Sequence, residues 1–98
     1  MNNTDVILVV MDDTERSRRV AEKYWAAGHP VALIGRSVKT VVPMLAHHRH
    51  RTWVAVVDPT DDAQIDEAIE RVGDHLGPVA MIVDPGNLLR ATAALAAA

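Results

Sequence analysis

Two short apolar runs, Thr52 to Val57 and Val79 to Val83, flank a stretch with a helical period, and this combination restricts the chain more than any other feature. Ile65, Ile69, Val72 and Leu76 fall at i, i+4, i+7 and i+11, which lines one face of a helix. Asp58-Pro59-Thr60-Asp61-Asp62 precedes that helix and offers a turn and side-chain oxygens for the free N–H groups of its first turn. Leu76-Gly77-Pro78 follows it. Apolar runs of strand length without polar alternation suit strands buried on both faces, and two such strands joined through a helix lie parallel. Thr52 to Val83 therefore reads as a strand–helix–strand crossover, with Asp84-Pro85-Gly86 as its exit turn.

The same alternation runs back to the N-terminus. Residues 1–4 are a polar arm, and Asp5 to Met11 holds Val-Ile-Leu-Val-Val, a first strand. Asp12-Asp13-Thr14-Glu15 carries capping oxygens and negative charge suited to a helix start. That helix is expected to reach Ala27, with Val20, Ala21 and Tyr24 inward, and to stop at Gly28 before Pro30. Val31 to Ile34 is a second strand, leaving through Gly35-Arg36-Ser37. Val38 to Ala46 is expected to be helical from Val41, Val42 and Leu45, against the low helix propensity of Val and Thr. An Ala/Leu terminal helix, residues 88–98, is expected to begin at Asn87 and run to about Ala97. The order βαβαβαβα implies one α/β domain over residues 1–98. It is a Rossmann-like half-fold with a four-stranded parallel sheet in order 3-2-1-4 and helices on both faces. The reversal of winding beside the first strand opens a crevice at the carboxyl ends of strands one and four.

Composition removes several classes of function. The net charge is −3, so no general basic field favours nucleic acid. The chain has no Cys, which excludes disulfides, thiolate metal sites and Cys nucleophiles. No apolar run approaches the roughly 20 residues that span a bilayer, and no basic segment leads into an apolar signal core. A cytoplasmic protein with no membrane partner is the expectation.

From Asp5 to Asn87 the chain resembles the N-terminal half of a short-chain dehydrogenase/reductase, truncated and degenerate. Ala26-Ala27-Gly28-His29-Pro30-Val31-Ala32-Leu33-Ile34-Gly35-Arg36 looks like that family's first helix end and second strand. Asp58-Pro59-Thr60-Asp61 looks like its Asp-x-Thr-Asp turn, and Leu76-Gly77-Pro78-Val79 through Gly86 like its approach to an Asn-Asn-Ala-Gly turn. The resemblance implies a dinucleotide scaffold, but the functional residues depart from it. Counting back from Gly28 puts the family's three phosphate-loop glycines at Met11, Glu15 and Ser17. Side chains there keep the backbone from a diphosphate, and the carboxylates of Asp12, Asp13 and Glu15 repel one. The final turn reads Val83-Asp84-Pro85-Gly86, so only its glycine remains. The family's catalytic Tyr, with a Lys four residues later, follows strand four. Here the only Tyr is Tyr24 and the only Lys residues are Lys23 and Lys39. The strands that carry the family's substrate pocket are also not in the sequence.

No catalytic residue and no cofactor is therefore expected. The alternative is a weak site for NADP or an adenine nucleotide. By the resemblance, Arg36 would meet a 2′-phosphate, Asp58 the adenine, and Gly86 would line the crevice. The plain reading of Arg36 and Asp58 is a strand exit and a turn residue.

Three further groupings stand beside these. Asp12, Asp13, Asp58 and Asp84 all fall at strand ends, and Ile7-Leu8-Val9-Val10-Met11-Asp12-Asp13 resembles the start of a response-regulator receiver domain. That likeness would make Asp12, Asp13 and Asp58 a Mg²⁺ site, since oxygen-rich clusters suit a hard cation; the plain reading is helix capping. His47-His48-Arg49-His50-Arg51 is a basic connector whose imidazoles could ligate Zn²⁺ or Ni²⁺, or act as a solvated loop. Arg16, Arg18 and Arg19 could replace the glycine loop with side-chain phosphate contacts, or form a solvated face beside Glu15 and Glu22.

A half-sheet leaves strand four as an open edge, which invites association. The expectation is a homodimer or a complex with a protein partner, through Val79 and Ile82 of that strand and Leu88, Leu89 and Leu95 of the terminal helix. A non-catalytic self-associating module and a residual nucleotide binder are the two functional readings.

Overall fold

Strands and helices alternate as the apolar pattern requires: β1 (Val6–Val10), α1 (Glu15–Ala26), β2 (Val31–Gly35), α2 (Val38–His47), β3 (Thr52–Val56), α3 (Asp62–His75) and β4 (Val79–Val83). The computed structural model describes residues 4–47 and 51–89. All pairings are parallel and the sheet order is β3-β2-β1-β4. The winding therefore reverses beside β1, as the sequence implies. The two central strands, β1 and β2, are buried at every position, which explains why they carry no polar alternation.

Two apolar layers sandwich the sheet. On one face Ile7, Val9, Val31 and Leu33 meet Ala21 of α1 and Val41 of α2. On the other, Val6, Leu8, Val10, Ala32 and Ile34 meet Ile65, Ala68 and Val72 of α3. The spacing read from the sequence thus marks the buried face of α3, with Ile69 and Leu76 packed at its margin. Each fully buried side chain of this size stabilises the fold by about 1.5–3 kcal/mol.

The helix starts are built from side chains. Thr14 caps α1 in an extended conformation and accepts Ser17 N–H. Asp61 caps α3 and accepts Ala63 and Gln64 N–H at 3.0 and 3.3 Å. Gln64 Nε2 donates to Asp61 Oδ2 at 3.2 Å, and Gln64 Oε1 accepts Asp58 N–H at 2.9 Å, which fixes the turn before the helix. Gly28 and Gly77 end α1 and α3 with φ of 92° and 117°, which suit a residue without Cβ.

Some details differ from the sequence reading. α2 continues to His47 although Pro43 lies inside it. Pro43 cannot donate to the preceding turn, but the packing of Val41 against the sheet holds the helix together. The pairing of β4 with β1 is irregular. Val6 faces Val79 but Ile7 faces Met81, so Ala80 is an extra residue. This bulge sends Val79 and Ile82 to the α3 face while Met81 and Val83 go to the other.

The expected helix from Asn87 does not start there. Asn87 has φ of 54°, and Asn87 to Leu89 is irregular. Leu89 is buried against the α3 face, so it serves this chain's own core rather than an open surface. The remainder of that expected helix, with Leu95, lies outside the described residues, as do His48, Arg49 and His50.

Candidate functional site

The carboxyl ends of the four strands deliver the site residues to one rim: Met11 to Thr14 after β1, Arg36 after β2, Asp58 after β3 and Asp84 to Gly86 after β4. The loop after β1 is closed on itself. Asp12 Oδ1 accepts the backbone N–H of Thr14 at 2.9 Å and also its hydroxyl. Thr14 Oγ1 accepts Ser17 N–H at 3.4 Å, so the first turn of α1 already has an internal acceptor. Ser17 is fully buried, and its hydroxyl accepts Asp12 N–H at 3.3 Å while lying 3.1 Å from Asp12 O and 3.0 Å from Thr14 O. Met11 is buried in the apolar layer that holds Ala21 and Val41.

Across the crevice, Asp12 Oδ2 lies so close to Gly86 that a Cβ at that position would overlap it. Gly86 thus permits a close approach, but the approaching group is the chain's own carboxylate. The hydrogen bond from the Thr14 hydroxyl is the main reason that Asp12 titrates below the ordinary aspartate value. It therefore stays anionic at neutral pH. Asp13 Oδ1 accepts the Thr40 hydroxyl at 2.6 Å and ties the loop to α2.

These residues do not fit a dinucleotide diphosphate. Its usual partners are open helix N–H groups and a loop without side chains. Here Ser17 N–H already meets Thr14, and the crevice holds a carboxylate. A second anion in that space would be repelled by it, a repulsion that solvent at this open rim screens in part.

The other acidic residues are also engaged. Asp84 accepts Leu88 N–H at 2.9 Å and Leu89 N–H at 2.7 Å. Asp58 Oδ1 accepts the Thr60 backbone N–H at 2.9 Å and the Thr60 hydroxyl at 2.7 Å. These bonds, and the nearby Arg36 guanidinium, lower its pKa. Arg36 and Asp58 are both exposed, at the ends of adjacent strands.

It does not assemble the receiver-like cation site. β2 lies between β1 and β3, whereas the flavodoxin-type order would make β1 and β3 neighbours. Among the described residues no group of three or more His, Cys, Asp or Glu side chains is placed to hold a metal. The Mg²⁺ reading of Asp12, Asp13 and Asp58 is corrected accordingly. Arg16, Arg18 and Arg19 are exposed on α1, with Arg18 paired to Glu15 at 3.8 Å.

Thr40 is a member of the rim that sequence reasoning missed. Its link to Asp13 spans two elements, and no local motif encodes such a pair. Ser17 was read only as a missing glycine; its hydroxyl proves to be the internal partner of Asp12.

Solved structures similar to this chain include short-chain dehydrogenase/reductases. A family oxidoreductase from Aeromonas hydrophila matches with a TM-score of 0.74 at 16% identity, over 82% of this chain and 38% of its own. A glucose/ribitol dehydrogenase-type member from Brucella melitensis matches at 0.73 and 12% identity, over 81% of this chain and 34% of its own. A short-chain dehydrogenase from Streptomyces avermitilis matches at 0.70 and 27% identity, over 80% of this chain and 29% of its own. The chain thus has a Rossmann-like fold of the short-chain dehydrogenase type and spans about a third of the length of these proteins. No protein-family model matches it, and no curated protein matches it by sequence. No helix among the described residues is long and apolar enough to cross a membrane.

Proposed function

We propose that the chain is a non-catalytic Rossmann-like module that acts by associating with a second copy of itself or with another protein. One observation carries this reading: the anionic carboxylate of Asp12 stands against Gly86 where a dinucleotide scaffold leaves room for diphosphate. Within the sequence the lone Tyr, Tyr24, is half-buried in α1 and stacks edge-on with His29 at 5.9 Å, a packing role. The cytoplasm is the proposed location.

Among the described residues the sheet ends in two edge strands, β3 and β4, that association could use. Val79 and Ile82 of β4, with the neighbouring Leu88, are half-buried and form the surface proposed for a protein partner. Light scattering at about 100 μM tests self-association, because a dimer with a micromolar constant is then nearly complete. A monodisperse monomer would remove that half of the proposal.

A second reading rests on Arg36 and Asp58 lying at adjacent strand ends: a weak site for an adenine nucleotide, or for NADP held mainly by its adenosine end. Calorimetry with NADPH, NADH, ATP and AMP decides between the readings. The first predicts no binding tighter than about 1 mM. Binding below about 100 μM that is lost in Arg36→Ala and Asp58→Ala would establish the second.

A further inference from the structure

We infer that the β3 edge is a self-complementary seam at which a second copy of this chain pairs antiparallel about Val54, joining two four-stranded sheets into one. The inference rests on the association reading above and assigns its surface. Three independent observations lead to this edge.

The first is the edge itself. β3 is the outermost strand among the described residues and pairs with β2 without interruption from Val31–Thr52 to Gly35–Val56. Val31 N–H donates to Arg51 O and Val57 N–H to Gly35 O. In a parallel ladder, the odd-numbered residues of β3 then bond to β2, and Val54 and Val56 turn their N–H and C=O groups outward. The strand reads Thr-Trp-Val-Ala-Val, with no charge, Pro or bulge to discourage a partner. The opposite edge, β4, carries the Ala80 bulge and follows Pro78, both features that blunt an edge.

The second is exposed apolar surface. The exposed large apolar side chains among the described residues are Val38, Val42 and Val56, at 58%, 44% and 51% of full exposure. Val56 is on β3, and the other two are on α2, the helix packed chiefly on β3. Surface of that kind gathered at one edge marks an interaction site.

The third is shape and charge. On the α3 face a cavity of about 240 Å³ runs beside β3, with Trp53, Ala55 and Val57 below and Ala68 and Arg71 of α3 above. A two-fold register centred on Val54 sets Trp53 of each copy opposite Ala55 of the other, about 4.5 Å apart at Cα. The bulkiest side chain of the strand then faces the smallest, beside an open volume that can receive it. The same register brings Val56 opposite Thr52. It also places exposed Arg51, before the strand, within one residue of exposed Asp58, after it. A parallel pairing would set Arg51 beside Arg51 and Asp58 beside Asp58, so charge selects the antiparallel arrangement. A second copy satisfies shape, register and charge together.

The test uses the absence of Cys in the chain. In the proposed register the two Val54 Cα atoms lie about 5.5 Å apart, within the disulfide range of about 4.4–6.8 Å. Val54→Cys should become a covalent dimer under mild oxidation, and Ile82→Cys on β4 should not. Val56→Lys changes an exposed side chain and should leave the fold intact by circular dichroism while weakening dimerisation at least tenfold in sedimentation. A dimer in which Ile82→Cys links and Val54→Cys does not, or which Val56→Lys leaves unchanged, overturns the β3 seam alone. A wild-type monomer at about 100 μM overturns the seam and self-association together.

Discussion

Asp12 and Gly86 occupy the same few cubic ångströms at the mouth of the crevice: the carboxylate of one fills the space that the missing side chain of the other leaves open. The contact joins the loop after β1 to the loop after β4. Gly86→Ala should therefore force the carboxylate off its bond to Thr14 and destabilise the fold by about 1–2 kcal/mol. In an Asp12→Gly background the same change should cost less than about 0.5 kcal/mol, because the obstruction is gone. Urea unfolding of the four proteins of this cycle measures the coupling. Strict additivity would contradict the contact.

Ser17 offers a related measurement. Its buried hydroxyl accepts the Asp12 N–H, so Ser17→Ala leaves that donor unpaired and should cost about 1–2 kcal/mol. Ser17→Gly should cost more, since it also loosens the first turn of α1. At about 4–8 °C per kcal/mol for a domain this small, thermal melts resolve both changes. Equal stability of Ser17→Ala and wild type would show that the hydroxyl is dispensable.

Acid should weaken the protein through Asp12 and Asp58. Both carboxyls titrate below their ordinary value in the folded chain, chiefly through bonds from Thr14 and Thr60 respectively. A depressed folded pKa stabilises the native state above the unfolded value of about 3.9, and that stabilisation is lost as pH falls through the lower folded value. These two groups should contribute no change in melting temperature between about pH 7 and 5, and a decline below about pH 4. Asp12→Asn should flatten part of the decline. An unchanged acid slope in that variant would assign the effect elsewhere.

The attachment of α3 can be probed at its cap and at its core. Asp61→Ala removes the acceptor for Ala63 and Gln64 N–H and should cost about 1 kcal/mol. Ile65→Ala opens a cavity in a side chain site that is 1% exposed and should cost about 2–4 kcal/mol. Chemical denaturation should rank the two in that order.

The strands and helices were legible because burial writes its period into the sequence. β1 and β2, buried on both faces, read as unbroken apolar runs, and α3 reads through Ile65, Ile69, Val72 and Leu76. The strand order agrees with the Rossmann-like reading, although the same alternation of strands and helices also suits the flavodoxin-type order. What escaped depends on residues distant in sequence. The approach of Asp12 to Gly86 and the bond from Thr40 to Asp13 arise only once the strand ends are side by side. The Ala80 bulge is equally silent, because Val79 to Val83 is apolar at every position and gives no preference for either face. The composition of the residues after Asn87 suggests a helix from that point, whereas its positive φ shows the turn after β4 extending further. Arg36 and Asp58 are singled out only through the family resemblance, not through any local pattern.

Trp25 donates its indole N–H to Thr52 Oγ1 at 3.0 Å, joining the last turn of α1 to the first residue of β3. An indole anchored in this way reports its surroundings through its emission. With Trp53 replaced by Phe, Trp25 becomes the sole indole in the chain. The molecule thus contains a native optical gauge, in which a red shift signals that helix and strand have parted before the rest of the domain melts.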